Sequence, residues 1–187
     1  MIAIRPEHTS ARDPVARILD EPVSASRLNL FHSCRLKFYF RYVRKIMKPS
    51  SPALHVGKTV HAMLQEWSKR RWMGKHAHKE DLISHFNEHW QLSLKNEPVA
   101  FEEGEEESER NKAWALVEMY LRETPIPVDE KPMGVEVSVE ADLSEHGLPH
   151  IRGIIDLVTA AGLIVDFKSS ATTPNEELVM HRNELQL

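Results

Sequence analysis

Two strand-like segments near the end of the chain carry charged residues where a buried sheet should be apolar. The stretch from Gly153 to Ser170 is GIIDLVTAAGLIVDFKSS. Apolar residues surround Asp156 and Asp166 on both sides, which is typical of central strands. Because an unpaired charge in such a strand costs free energy, each aspartate needs a compensating partner. No other feature of the sequence restricts the fold and the function as strongly.

The turn between these segments predicts how they pair. A turn at residues 160–162 would pair Thr159 with Leu163, and counting back places Asp156 opposite Asp166. Two carboxylates facing each other at about 5 Å repel unless a cation or a shared proton relieves them. A divalent metal with oxygen ligands is the natural relief, and Mg²⁺ typically takes one or two carboxylates.

A lysine extends the charged face of the second segment. Side chains alternate across a strand, so Lys168 lies on the same face as Asp166. Its ammonium group could hold a nucleophilic water or stabilise charge on a phosphorane-like transition state. The alternative interpretation is a surface hairpin whose two acids and lysine are simply solvated.

Hydrophobic periodicity predicts helices in the first two thirds of the chain and strands in the last third. Ser24 or Ser26 is expected to cap a first helix, and the acidic stretch 102–109 is expected to be an exposed lead-in to a later one. The predicted helices cover residues 24–31, 35–43, 54–67, 80–94, 111–122 and 175–187. Spacings of three and four predict apolar stripes within three of these helices. The stripe residues are Val56, Val60, Met63, Leu64 and Trp67 in the third helix, Leu82, Phe86, Trp90 and Leu94 in the fourth, and Trp114, Val117, Met119 and Leu121 in the fifth. The predicted strands cover residues 134–143, 151–160 and 163–170.

Composition restricts the cellular compartment and the partners expected for the protein. The single cysteine, Cys34, excludes an intrachain disulfide and favours a reducing compartment. No apolar run reaches the roughly 20 residues of a membrane span, and the N-terminus lacks the apolar core of a signal peptide. We therefore expect a cytoplasmic protein without membrane contact. The net charge of −4 does not exclude a nucleic-acid partner, because base concentrates at residues 35–48.

The series GIIDLV…IVDFKSS resembles the core motif of the PD-(D/E)xK nuclease superfamily, in particular its RecB-like branch, which includes RecB-type and CRISPR-adaptation exonucleases. Further stretches resemble other motifs of that branch in the same order. SASRLNLFHSCRLKFYFRYV is similar to its N-terminal helix signature, and VGKTVHAMLQ to its GxxxHxxL helix. VEVSVE is similar to a strand that enters the site, and ELQL to the start of its QxxxY helix.

The resemblance implies an α/β fold: a restriction-endonuclease-like core with a short mixed sheet flanked by helices, plus an N-terminal helical region. Residues 1–23 would form a flexible arm. Residues 24–187 would form one nuclease domain, helical over 24–125 and sheet-bearing over 133–187. The tyrosine of QxxxY would fall beyond Leu187, so either the domain is truncated at its C-terminus and the chain is a fragment of a longer protein, or the motif is incomplete.

The resemblance also implies metal-dependent hydrolysis of DNA, by exonuclease rather than endonuclease action, in repair, recombination or phage and defence processing. The DNA would be single-stranded or would offer duplex ends. A helicase or a recombination protein would be its partner. Mg²⁺ or Mn²⁺ would be bound by four side chains: His61, Glu136, Asp156 and Asp166. Lys168 would act in catalysis beside Asp156 and Asp166, and Gln186 would orient Lys168 or a phosphate.

Many relatives also bind an iron–sulfur cluster through four cysteines. Cys34 matches the first of them, although Arg35 replaces the usual proline. Because this chain has no other cysteine, it cannot supply four thiolates, and a cluster is expected only if a longer chain provides them. We otherwise expect Cys34 to be a small buried residue.

The predicted helix at residues 35–43 is basic and alternates cations with aromatic residues. This pattern is typical of a surface that binds successive phosphates of a nucleic acid and stacks its bases on aromatic rings. Helical spacing would align Lys37, Arg41 and Lys45 in one row. A solvated face over an apolar stripe is the alternative. The candidate DNA-binding residues are Arg35, Lys37, Arg41, Arg44 and Lys45.

Two other functions stay open at this point. The chain could be a catalytically inactive DNA-binding module that keeps the nuclease fold. It could also be a zinc-stabilised interaction domain, although His85 and His89 are more typical of a solvated helix face. The zinc ligands would come from His76, His78, His85 and His89.

Overall fold

The computed structural model describes residues 21–46, 48–75 and 78–169. Its helices are α1 Ala25–Ser33, α2 Arg35–Phe38, a π-helix Tyr39–Val43, α3 Pro52–Trp72, α4 Lys79–Asn96 and α5 Glu105–Glu123. Its strands are β1 Gly134–Ala141, β2 Ile151–Val158 and β3 Ile164–Val165. This helix-then-strand order confirms the predicted α/β class. The predicted helix 175–187 and most of the predicted arm lie outside the described residues.

The described chain divides into two compact units. One contains residues 21–46 and 140–153, and the other contains residues 48–139 and 154–169 with the gap at 76–77. Among the described helices, none is long and apolar enough to cross a membrane.

The core of the larger unit is built on the apolar stripe that was predicted for α3. Val56, Val60, Met63, Leu64 and Trp67 are all at most 7% exposed. Helix α4 adds a second predicted stripe, and single residues of α5, β2 and the segment after β3 complete the core. Each large apolar side chain that is fully buried stabilises the fold by about 1.5–3 kcal/mol. The residues from these other elements are Leu82, Phe86, Trp90, Ala113, Val117, Leu157 and Phe167.

Serine residues begin two of the helices, and one of these caps was predicted. The Ser24 hydroxyl accepts a hydrogen bond from the Arg27 amide at 3.3 Å at the start of α1. Ser51 accepts from the Leu54 amide at the same distance, and Pro52 follows it as the first residue of α3. These are preferred residues for an N-cap and a first helical position.

Helix α5 begins earlier than its apolar pattern predicted. The acidic stretch was expected to be a lead-in, but α5 starts at Glu105 and includes three glutamates in its first turn. Negative charge at a helix N-terminus is favourable because the backbone dipole places positive charge there. Glu105 also accepts a hydrogen bond from the Glu102 amide at 2.8 Å. Met119, predicted to be part of the apolar face, is 43% exposed.

A buried arginine anchors the loop that leads from α5 to β1. The Arg71 guanidinium lies over the Trp67 ring, 4.3 Å from its centroid. It donates hydrogen bonds to the carbonyl oxygens of Val128 at 3.1 Å and Glu130 at 2.6 Å. Glu130 in turn accepts from the Ala160 amide at 2.9 Å in the β2–β3 turn. These contacts hold the approach to β1 against α3.

The three strands form a sheet in the order β1-β2-β3, and its predicted register is confirmed. Strands β2 and β3 are antiparallel, and the Thr159 amide donates to the Leu163 carbonyl at 2.9 Å as the turn prediction required. The paired residues are Leu157 with Val165 and Val158 with Ile164. A separate parallel bridge joins Val23 to Ile151. Strand β3 was predicted to continue to residue 170 but ends at Val165.

The basic segment does not form the single regular helix that the predicted row of cations requires. Helix α2 passes into the π-helix, where the Arg44 amide bonds to the Tyr39 carbonyl five residues earlier. Lys45 then has a φ of 54°, outside the helical region. Regular helical spacing therefore does not continue from Lys37 through Arg41 to Lys45, and the role of this row in DNA binding stays a prediction. Cys34, expected to be buried, is half-buried between α1 and α2.

Candidate metal and catalytic site

Asp156 lies near the end of β2 and is only 7% exposed. Its Oδ1 is 2.9 Å from His61 Nε2, and its Oδ2 accepts a hydrogen bond from the Phe167 amide at 2.7 Å. In a continued antiparallel ladder, the Phe167 amide would bond to a main-chain carbonyl of β2. The Asp156 carboxylate takes this donor instead, so β3 ends where the site begins.

The pKa values of the His61–Asp156 pair are shifted apart. The hydrogen bond to Asp156 raises the pKa of His61, against the opposing effect of burial. Burial alone would raise the pKa of Asp156, but the hydrogen bonds from His61 and from the Phe167 amide outweigh it and lower that pKa. Both shifts favour the charged forms, an imidazolium and a carboxylate.

Glu136 on β1 combines a strained backbone with a buried, unpaired oxygen. Its φ is 54°, a left-handed conformation that is rare for any residue other than glycine. Such a residue costs on the order of 1–3 kcal/mol, and such strain concentrates at functional sites. Its Oε1 is buried and has no hydrogen-bond partner within the described part of the protein. A buried carboxylate oxygen without a partner is costly unless a proton or a cation neutralises it.

Three side chains bring possible metal-ligand atoms close together. His61, Glu136 and Asp156 each offer one ligand atom, and these atoms all lie within 4.8 Å of one another. It is the only such group of histidine, cysteine and acidic residues in the described ranges. Two carboxylates and one imidazole suit Mg²⁺ or Mn²⁺, which prefer oxygen ligands. The unpaired Oε1 of Glu136 fits a bound cation.

Asp166, the fourth predicted ligand, lies apart from this group. Lys168 Nζ donates to its Oδ1 at 3.0 Å, and both side chains are partly exposed. The expected repulsion between Asp156 and Asp166 is thus relieved by different partners: His61 for one and Lys168 for the other. The role of Asp166 as a metal ligand stays a prediction.

A cavity of about 190 Å³ lies along this site. A Cβ added to Gly57 would come within 2.9 Å of Ser169 Oγ, so α3 passes close to the Ser169 side chain at this glycine. Tyr120 on α5 also lines the cavity, and its buried hydroxyl has no partner among the residues described. The lining residues are Gly57, Val60, His61, Leu64, Tyr120, Val165, Asp166, Phe167, Lys168 and Ser169.

Sequence reasoning missed two of these residues for different reasons. Tyr120 belongs to a helix without any motif, so nothing local marks it as part of a site. Ser169 directly follows Lys168 in the DFKS stretch, and that position could have been singled out.

Other predicted site residues lie outside the described ranges or apart from the metal-ligand group. Gln186 and His76 lie outside the described residues. His78, His85 and His89 belong to no group of three metal-ligand residues in the part of the chain described. His89, expected on a solvated face, is half-buried, and burial lowers its pKa. The candidate DNA-binding cations Arg35, Lys37, Arg41, Arg44 and Lys45 are all exposed.

The three-stranded sheet, the helices beside it and the group of two acids with a histidine define an α/β protein with a candidate divalent-metal site. The family model described as the PD-(D/E)XK nuclease superfamily matches residues 22–187. The chain therefore belongs to the PD-(D/E)XK nuclease superfamily. No curated protein and no solved structure matches the chain.

Proposed function

We propose that the protein is a divalent-metal-dependent deoxyribonuclease that hydrolyses DNA phosphodiester bonds. The convergence of His61, Glu136 and Asp156 around an unpaired buried carboxylate oxygen carries this proposal. Membership of a nuclease superfamily supports it.

His61, Glu136 and Asp156 would hold Mg²⁺ or Mn²⁺, with Asp166 as a further ligand. When bound, the metal would supply positive charge against the phosphate and lower the pKa of a water molecule. Glu136 already lies in the group, and Asp156 is fixed by the Phe167 amide. Binding of the ion would require His61 to lose its proton and to release Asp156 Oδ1, because only a neutral imidazole ligates a metal.

Lys168 would hold the nucleophilic water or stabilise charge on the transition state. Its ammonium group lies at the cavity wall and is held by Asp166 at 3.0 Å. A cation in this position can donate hydrogen bonds to a phosphate oxygen or to water. Gln186 would orient Lys168 or a phosphate. In the other unit, Arg35, Lys37, Arg41, Arg44 and Lys45 would bind the DNA backbone.

Resemblance to the RecB-like branch supports exonuclease action and a role in repair, recombination or phage and defence DNA processing. It also supports a helicase or a recombination protein as partner. The mode of cleavage, the biological process and the partner are therefore proposed from the resemblance and not from the metal site.

Cleavage of labelled DNA tests the proposal. The purified chain is incubated with linear and covalently closed DNA in Mg²⁺, in Mn²⁺ and in EDTA. We expect cleavage only with metal, and cleavage of linear DNA alone if the action is exonucleolytic. Asp156→Asn should abolish it, whereas Asp129→Asn, an exposed loop aspartate, should not. Binding of DNA without cleavage under all metal conditions would identify an inactive DNA-binding module instead.

A further inference from the structure

One segment of the protein exposes aromatic and basic side chains together. Over residues 31–46, Phe31 is 38% exposed, Tyr39 41% and Phe40 43%, and the aliphatic residues Leu36 and Ile46 are more exposed still. Burying a side chain of this size is worth about 1.5–3 kcal/mol, so leaving several uncovered in one short segment forgoes much stability. Clustered exposed apolar residues mark an interaction surface.

The charge of this surface indicates the partner. Between Pro22 and Gln65 the sequence contains eight lysine and arginine residues and no aspartate or glutamate. The protein as a whole has a net charge of −4, so this cationic stretch runs against the overall balance. A concentration of positive charge on one segment attracts a polyanion.

Arginine and aromatic side chains also lie against each other here. The guanidinium of Arg35 is 5.3 Å from the Phe31 ring centroid, and that of Arg41 is 5.8 Å from the Tyr42 ring centroid. The rings of Tyr39 and Phe40 are neighbours, with centroids 5.9 Å apart. Both begin the π-helix, a form of backbone found frequently at functional sites.

We infer that Tyr39 and Phe40 form a base-stacking surface for single-stranded DNA, whose phosphates bind the surrounding cations; this inference rests on the proposed nuclease function. A duplex offers only phosphates to such a surface, because its bases are already stacked on each other. A single strand can place an unstacked base on an exposed ring while its backbone follows the basic residues. The substrate is therefore single-stranded DNA or a single-stranded end.

Binding without cleavage tests the inference. Fluorescence anisotropy is measured in EDTA, so that the DNA stays intact, with three labelled probes: a 20-nucleotide oligo-dT, an abasic strand of equal length, and a closed duplex without free ends. We expect oligo-dT to bind most tightly. Because base–aromatic stacking contributes strongly, each stacked base should strengthen binding by about 5- to 150-fold over the abasic strand.

Variants of the stacking residues should remove this preference. Tyr39→Ala with Phe40→Ala should reduce oligo-dT binding to the level of the abasic strand, with the salt dependence unchanged. Trp72→Ala is the matched control, because Trp72 is also an exposed aromatic residue, at 48%. Phe40→Trp should preserve the preference. Circular dichroism checks folding, and the abasic comparison on the wild type tests the inference even if a variant fails to fold.

Two outcomes would overturn the inference. One is equal affinity of the wild type for oligo-dT and the abasic strand. The other is unchanged oligo-dT binding by the double variant together with loss of self-association in sedimentation, which would identify an interface between copies of this chain. Neither result depends on cleavage. A preference for single strands in a protein that cuts no DNA would reject the nuclease function and leave the stacking surface in place.

Discussion

The Phe167 amide donates to Asp156 Oδ2 at 2.7 Å, and this bond replaces the next rung of the β2–β3 ladder. The aspartate thereby fixes the chain where it leaves the sheet. It also keeps Oδ1 directed at His61 Nε2, 2.9 Å away. One side chain thus has two functions: it ends a strand and positions the histidine beside the candidate metal site.

Binding of a metal ion by His61, Glu136 and Asp156 should stabilise the protein. A ligand that binds only the folded state at 100 times its Kd adds about 2.7 kcal/mol, which for a chain of this size raises Tm by about 5–10 °C. We expect Mg²⁺ or Mn²⁺ to produce such a shift in the wild type and a much smaller one in Asp156→Asn. Differential scanning fluorimetry with and without metal measures it, and Asp129→Asn is the control. Equal shifts in the wild type and Asp156→Asn would place the ion elsewhere.

Loss of either member of the Asp166–Lys168 pair should abolish cleavage while leaving the fold intact. The pair is partly exposed, and exposed ion pairs contribute at most about 1 kcal/mol to stability. Asp166→Ala and Lys168→Ala should therefore melt within a few degrees of the wild type and cut DNA at background rates. Lys112→Ala, which removes another lysine from an ion pair, is the control. Normal cleavage by either site variant would show that the pair has no part in the chemistry.

Gly57 and Ser169 should act as one unit in shaping the cavity. Alanine is favoured over glycine within a helix by about 1 kcal/mol, so Gly57→Ala should not weaken α3 itself. Its methyl group would, however, lie 2.9 Å from Ser169 Oγ and displace that side chain at the cavity wall. We expect slower cleavage by Gly57→Ala with little change in Tm.

A double-variant cycle separates crowding from other causes. If Ser169 is the group displaced, Gly57→Ala combined with Ser169→Ala should regain part of the rate that Gly57→Ala loses. Single-turnover cleavage rates for the wild type, the two single variants and the double variant give the coupling energy between the two substitutions. Additive losses would show that the close approach of α3 has no influence on the reaction.

The sequence predicted the parts of this structure that depend on local periodicity. The α3 stripe from Val56 to Trp67 and the Thr159–Leu163 turn follow directly from side-chain spacing, and both were confirmed. The convergence of His61 with the acids was expected only through the family resemblance. Its atomic geometry was not accessible, because it depends on where three separated elements pack.

Features set by backbone geometry or by tertiary contacts were not predicted. The left-handed conformation of Glu136 and the π-helix at Tyr39 leave no mark in residue type. The early end of β3 results from a side chain of the neighbouring strand capturing the Phe167 amide. Tyr120 reaches the cavity through the packing of α5, and α5 carries no motif.

Two histidines packed between helices should make the protein less stable in acid. The buried ring of His55 lies edge-on to Trp90, with centroids 4.4 Å apart, and its Nε2 has no partner within the described residues. Burial, then the nearby charge of His89, lowers the pKa of His55 below 6.5, and burial lowers that of His89. Lys58 lowers the His55 pKa further, whereas Glu97 and Glu106 act against the shift.

The lowered pKa values of His55 and His89 determine how the stability of the protein changes with pH. Below pH 6.5 the unfolded chain binds protons at both histidines before the folded protein does, so the free energy of unfolding falls as the pH drops toward the folded pKa values. His61, whose pKa is raised, contributes with the opposite sign: its stabilisation is present below pH 6.5 and is lost as the pH rises through its folded pKa. Because these effects occupy different pH ranges, they can be measured separately.

Urea unfolding at pH 8, 6.5 and 5 should show this loss between the two lower values. In His89→Gln the loss should be smaller, since one of the two histidines whose pKa is lowered by burial is gone. His146→Gln, which changes an exposed histidine, should follow the wild type. A wild-type stability that is constant from pH 6.5 to 5, or an identical decline in His89→Gln, would contradict the proposed role of the α3–α4 histidines in acid sensitivity.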